Sequence, residues 1–214
     1  MNKILNKSQA RRVGIFGASG SGKTTKALEL VKNIERLVVF DPLDEFSYKF
    51  VKFTDIKSLK NAILRNYTSG FKVRFVPNLG QAKKQLSEIC VFLRLLQTGY
   101  KFSKFSSLIT LYVDELDLGF PLNESKSDGN NGFYYLCCRG RHYGINIVGV
   151  SQRMSLVDLP FRANLSDMYI FRLSDFNDIK SACAMIGNNY KSRIQSLQNY
   201  MYIYKNQNGE ITIK

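Results

Sequence analysis

Short apolar runs alternate with amphipathic stretches along most of the chain. Arg12–Phe16 is apolar enough for a buried strand, and a Gly/Ser-rich segment separates it from helical sequence over residues 23–33. Leu37–Phe40 reads as a second strand and runs into Asp41 and Pro42. Residues 55–67 read as a helix, and Phe71–Val76 as a strand with one wet face. Over residues 80–97, Leu86, Ile89, Cys90, Leu93 and Leu96 recur at helical spacing, as in a helix that buries one face. Leu108–Val113 is a further buried run, residues 132–142 are helical, and Ile145–Val150 and Met168–Leu173 are strands. Polar helical sequence continues to about residue 198. Tyr200–Tyr204 and Glu210–Ile213 flank Asn-Gln-Asn-Gly, which is hairpin chemistry. Residues 119–131 have the least pattern of any interior stretch and read as a surface loop.

Strands alternating with helices predict an α/β fold. The central sheet is mostly parallel and flanked by helices, and the C-terminal β-hairpin lies at an edge. With 44% hydrophobic residues in 214, the chain can fill one sizeable core. The expected organisation is a basic arm over residues 1–11 and a single domain over residues 12–214. No internal repeat or low-complexity tract divides it.

Charge narrows the partners. Thirty-one Lys and Arg stand against 17 Asp and Glu, a net charge of +14, which favours a polyanion, nucleic acid before an anionic membrane. No run approaches the roughly 20 apolar residues of a membrane span. The N-terminal cations lack the apolar stretch of a secretory signal, so a cytoplasmic protein is expected. Cys90, Cys137, Cys138 and Cys183 have no CxxC spacing, and there is one histidine. That excludes a zinc-ligand set and predicts reduced thiols.

The segment Gly17, Ala18, Ser19, Gly20, Ser21, Gly22, Lys23, Thr24 satisfies GxxxxGK[ST], with a strand before it and a helix after it. Glycines let the backbone wrap and aim N–H groups at phosphate oxygens, and the helix N-terminus adds its dipole. Lys23 is expected to reach the β- and γ-phosphates of ATP or GTP, and Thr24 to offer its hydroxyl to Mg2+. Thr25 is a further candidate, at the α-phosphate.

The apolar run to Val113 ends in Asp114 and Glu115, where a strand's carboxyl end would set both beside the phosphate loop. Asp114 is the candidate Mg2+ residue. Glu115 is the candidate base for an attacking water, with Asp117 as a substitute. Ile145–Val150 is followed by Ser151 and Gln152, and Gln152 is the candidate γ-phosphate sensor. Before that strand stand Arg139 and Arg141, which either cap a helix C-terminus or act on a neighbouring subunit's nucleotide. His142 has no evident nucleophilic partner and reads as structural.

The stretches GASGSGKTT, LITLYVDE and GRHYGINIVGVSQR, in this order, resemble the HerA/FtsK superfamily of DNA-translocating ATPases. With Leu159, Pro160, Arg162 and Asn164 downstream, the pattern is similar to genome-packaging ATPases of tailless, membrane-containing double-stranded DNA viruses. The resemblance covers roughly residues 12–173. It implies a RecA-like P-loop core and a homo-oligomeric ring, usually a hexamer and sometimes a pentamer. Double-stranded DNA would pass through the channel, and capsid vertex proteins would be docking partners. It also implies ATP and Mg2+ at Lys23 and Thr24, catalysis by Asp114 and Glu115, and a sensor role for Gln152. Arg141 becomes the trans-acting finger, with Arg139 and Arg153 behind it. The candidate DNA contacts are Gly99–Phe105 and Phe71–Phe75, which mix cations with aromatics. The rival readings are a P-loop small-molecule kinase, which needs an acceptor site and an arginine-rich lid, and a nucleotide-gated assembly protein. No transporter-type LSGGQ stretch is present.

Overall fold

A computed structural model describes residues 9–46, 50–103, 107–127 and 131–214. Residues 1–8 of the expected arm, Lys104 and Phe105 of the cation–aromatic stretch, and residues 128–130 of the expected loop lie outside them.

Among the described residues, nine strands form one sheet. They are β1 (Arg12–Phe16), β2 (Arg36–Phe40), β3 (Val51–Phe53), β4 (Phe71–Phe75), β5 (Ile109–Val113), β6 (Ile145–Ser151), β7 (Asp167–Ile170), β8 (Ile203–Lys205) and β9 (Ile211–Ile213). Their order is β3-β4-β2-β5-β6-β1-β7-β8-β9. Every pairing from β3 to β7 is parallel. The closing β8–β9 hairpin is antiparallel and lies at the edge, as the turn chemistry predicted. The helices are α1 (Lys23–Val31), α2 (Ile56–Arg65), α3 (Ala82–Leu96), α4 (Thr98–Ser103), α5 (Leu116–Gly119), α6 (Glu124–Ser127), α7 (Gly132–Arg139), α8 (Leu159–Ala163), α9 (Phe176–Ile186) and α10 (Lys191–Ser196).

Strands buried on both faces explain the continuous apolar runs. Val13, Ile15, Val148 and Val150 face the layer that holds Ala27, Leu30 and Val31 of α1. Phe16, Ile145 and Ile147 face the opposite layer with Leu86, Ile89 and Leu93 of α3 and Phe133 and Leu136 of α7. Each such Val, Leu, Ile or Phe contributes about 1.5–3 kcal/mol by leaving water. Local chemistry sets the ends. Asp55, Asn131 and Asp175 cap α2, α7 and α9 through side-chain oxygens. Gly144, at φ +65°, turns the chain after Tyr143 into β6, and a Cβ there would lie 2.7 Å from the Tyr100 ring.

Two expectations need correction. Phe71–Phe75 has no continuous wet face: Lys72 is exposed, but Arg74 is only 2% exposed, where it donates to Asp41 and Asp44. That cation is therefore unavailable to DNA. Residues 119–127 of the expected loop are more ordered than their pattern suggests. They carry α6, a bridge from Pro121 to Val157, and bonds from Leu122 N to Leu156 O and from Ser125 N to Asp158 Oδ2. The short elements β3 and α8 were not foreseen. No helix of the described residues is long and apolar enough to cross a membrane.

The parallel register fixes the site. Phe16 lies opposite Ser151, Phe40 opposite Val113, and Val113 opposite Gly149. The carboxyl ends of β1, β2, β5 and β6 therefore meet at one end of the sheet, with Gly17, Asp41, Asp114 and Gln152 next in sequence.

Candidate functional site

The loop from Gly17 to Gly22 leaves β1 and enters α1. It is held by bonds from Ala18 N to Arg172 O and from Tyr200 N to Ser21 O, both 2.8 Å. Gly22 has φ +108°, and a Cβ there would stand 2.8 Å from Tyr200 Cδ1, so glycine is required twice over. Gly20 has nothing within 4 Å of where its Cβ would stand, and Ser21 Oγ is buried without a hydrogen-bond partner. The result is an open, donor-lined cradle that fits a phosphate chain. Lys23 is 7% exposed and donates Nζ to Ala18 O at 2.9 Å. Burial pushes its ammonium below the usual lysine range, while Glu115, Asp114 and Glu45 pull the other way. Thr24 is half-buried and Thr25 exposed.

The carboxylates stand beside this cradle. Asp114 is 3% exposed and accepts from Tyr112 Oη at 2.9 Å. Burial pushes its carboxyl up to about 7; the Tyr112 hydroxyl opposes this, and Glu115, Glu45 and Asp41 add to it. Asp114 and the Thr24 hydroxyl both offer oxygen, the donor type that suits a hard cation such as Mg2+. Glu115 is held at φ +39°, ψ +59°, in the left-handed region that a non-glycine residue enters only at a cost of about 1–2 kcal/mol. It accepts from Gln152 Nε2 at 2.7 Å. Asp117 lies two residues on and accepts from Ser151 Oγ at 2.6 Å, so both acidic residues after Asp114 are tied to the end of β6.

The cations divide differently. Arg139 and Arg141 are exposed at the amino end of β6, away from the cradle. At about 3.3 Å per residue, a seven-residue strand spans roughly 20 Å, so neither reaches this chain's own cradle. Arg153 is bound to α9, through Nε to Asp178 Oδ2 at 2.8 Å and through Nη2 to Asp175 Oδ2 at 3.3 Å. His142 is exposed beside a cavity of about 290 Å3 that it shares with Lys101, Tyr135, Arg139 and Tyr143. There Arg94 lies 4.7 Å from the Tyr135 ring and Lys101 5.5 Å from the Tyr143 ring.

Sequence reasoning missed Tyr112, Asp41, Glu45 and Tyr200. Tyr112 carries a readable signal, because two residues before Asp114 it shares a strand face with it. Tyr200, at φ +68° and 67% exposed, is brought to the loop by tertiary folding alone.

No family model matches this chain, and no curated protein matches it. Solved structures do. The genome packaging NTPase B204 from Sulfolobus turreted icosahedral virus 2, in complex with AMPPCP, superposes with a TM-score of 0.70 at 16% identity, over 95% of this chain and 96% of that one. B204 from Sulfolobus turreted icosahedral virus, a DNA-packaging ATPase, gives 0.69 at 17% identity, over 95% and 96%. EssC (ATPases 2 and 3) from Geobacillus thermodenitrificans gives 0.60 at 14% identity, over 95% of this chain and 39% of that one. The fold expected from the motifs is thus the fold of these NTPases.

Proposed function

We propose that this chain is an ATPase that drives translocation of double-stranded DNA, working as a homo-oligomeric ring that packages a viral genome into a preformed capsid. The observation that carries the hydrolysis in this reading is the 2.7 Å bond from Gln152 to Glu115 at the mouth of the phosphate cradle. It fixes one carboxylate oxygen and leaves the other to take a proton from water. A kinase would keep water away from the phosphate, so a poised base for water favours hydrolysis over the small-molecule kinase.

In this reading the loop N–H groups from Gly17 to Thr25 and the Lys23 ammonium bind and orient the phosphates of ATP. Thr24 and Asp114 would hold Mg2+, which supplies positive charge against the phosphates when bound. Glu115 accepts the water's proton. Gln152 bonds both to Glu115 and, in turn, to the γ-phosphate, so loss of that phosphate changes the end of β6. Arg141 acts on the neighbouring subunit's nucleotide, with Arg139 as its substitute. The cation–tyrosine face of Arg94, Lys101, Arg139 and His142 offers DNA salt-sensitive, sequence-independent phosphate contacts. The packaging role is supported by the fold shared with the two B204 proteins and by the +14 charge. It implies work in the host cytoplasm and docking on capsid vertex proteins.

The test is ATP hydrolysis with and without long double-stranded DNA, at low and moderate salt. DNA-stimulated turnover is expected, lost in both Glu115→Gln and Arg141→Ala. Full turnover in Arg141→Ala would remove the trans role. Turnover only on adding a small acceptor would give the site to a kinase. Intact function in Glu115→Gln would favour a nucleotide-gated assembly protein.

A further inference from the structure

A second cavity, of about 300 Å3, lies by the amino ends of β1 and β7, at the end of the sheet away from the phosphate cradle. Arg11, Arg12, Cys138, Arg141 and Ser166 are among the residues that line it. Arg11 and Arg12 are 7% and 6% exposed. Arg11 donates Nη1 to Asp167 Oδ2 at 2.9 Å, and Arg12 donates Nη2 to Leu136 O at 3.3 Å. In both guanidinium groups Nε is buried and has no hydrogen-bond partner.

A buried donor without a partner is costly, and so is a buried charge without a counterion. The carboxylate of Asp167 does not settle this account. Its second oxygen already accepts from Tyr204 Oη at 2.6 Å. Among the described residues Arg141 forms no ion pair. Three arginines therefore stand against one carboxylate, and two positive charges remain. Burial pushes the Arg12 guanidinium below the ordinary arginine range. Arg141 pushes the same way and the Cys137 thiol opposes.

We propose that this cavity binds a phosphate dianion, held by Arg11, Arg12 and Arg141. A dianion matches the two uncompensated charges. A tetrahedral phosphate has acceptor oxygens in enough directions to meet donors from three side chains, which a planar carboxylate does not. Arg11 and Arg12 are recessed, so a phosphodiester on a stiff duplex does not reach them, whereas a free phosphate or a terminal phosphate does. The source is either phosphate ion or the terminal phosphate of a nucleotide carried by a second copy of this chain. Only the second source rests on the ring proposed above.

Cys138 supplies the reporter. It is half-buried in this cavity, while Cys90, Cys137 and Cys183 are buried. The probe is the rate of Cys138 alkylation by iodoacetamide in a Lys23→Ala chain, whose phosphate cradle is disabled. Millimolar inorganic phosphate is expected to slow alkylation several-fold and saturably, whereas chloride at matched ionic strength does not. Arg12→Gln and Arg141→Gln are each expected to abolish that protection. Should Arg12→Gln fail to fold, the exposed Arg141→Gln carries the test.

To separate the sources, wild-type chain loaded with a non-hydrolysable ATP analogue is added to the Lys23→Ala chain in phosphate-free buffer. Protection there identifies the nucleotide, and protection by phosphate alone identifies the ion. Protection in neither arm, equal protection by chloride, or protection by a short DNA duplex but not by phosphate overturns the site. Loss of DNA-stimulated turnover in Arg141→Ala without any phosphate protection would leave the ring standing and remove this cavity from it.

Discussion

Tyr112→Phe removes one oxygen from the core and isolates the proton balance of Asp114. The hydroxyl donates to Asp114 Oδ1 at 2.9 Å, and it opposes the burial that pushes the carboxyl up to about 7. A hydrogen bond to a charged group is worth about 1.5–3 kcal/mol. At 1.36 kcal/mol per unit, losing it raises the Asp114 pKa by about 1–2 units. The sign follows from the chemistry. In the proposed mechanism the site needs the carboxylate, so activity is expected to be lost as pH falls through this pKa, and a higher pKa moves the loss to higher pH. At pH 7 the ionised fraction drops from about half to roughly 1–10%, a five- to fifty-fold fall in kcat/KM. At high pH the two proteins converge. A divalent cation competes with the proton for the same carboxylate, so raising its concentration moves both acid limbs down together and keeps their separation. The assay is the pH–rate profile of ATP hydrolysis at several Mg2+ concentrations. A variant whose acid limb does not move, or whose activity falls equally at every pH, would refute the reasoning. The hydroxyl would then orient the site without setting its proton affinity.

Arg74→Met leaves Asp41, which is fully buried, without its cation. Breaking such a pair costs about 3–5 kcal/mol, or roughly 6–20 °C in Tm for a domain of this size, read by thermal denaturation. Adding Asp41→Asn is expected to recover part of the loss, and an unchanged Tm in Arg74→Met would contradict the pairing. Gly22→Ala forces an L-residue to φ +108° and sets its Cβ against Tyr200. Nucleotide affinity, measured with a fluorescent ATP analogue, is expected to fall at least about tenfold, the equivalent of 1.4 kcal/mol. Wild-type affinity would show that the loop tolerates another conformation.

The parts of this molecule that were legible in the sequence are those in which chain neighbours do the work. An apolar run that ends in Gly17–Thr25, and another that ends in Asp114 and Glu115, each place strand and chemistry in one stretch. Parallel pairing then fixes where the polar residues emerge. What escaped is non-local or unpatterned. β3 is three residues long, with Val51 64% exposed, and only its bonds to β4 make it a strand. Arg74 looked wet because a period of two assigns it a face, but not what covers that face. The α8 helix did have a readable start, Asp158 followed by Leu159 and Pro160, an N-cap with proline in the first turn. Neither the left-handed backbone of Glu115 nor the approach of Tyr200 to Gly22 leaves a trace in local composition.

The β6 strand constrains how any two sites on this fold communicate. All seven of its residues are buried, and it is bonded along its length to β5 and β1. Interiors packed this tightly transmit displacement and do not stretch. Gln152 lies at one end of that strand and Arg141 a few residues before the other. A change at Gln152 when phosphate leaves therefore moves the strand and its neighbours as one body, or it does not reach Arg141 at all. The left-handed positions lie outside the strand, Glu115 after β5 and Gly144 just before β6. In the proposed ring, coupling between a subunit's own cradle and its neighbour's would then run through rotation of whole subunits about their interface. The cationic cavity lies roughly 20 Å from the cradle, at the opposite end of the same sheet, so in the proposed ring it would meet a neighbour's phosphate through position alone.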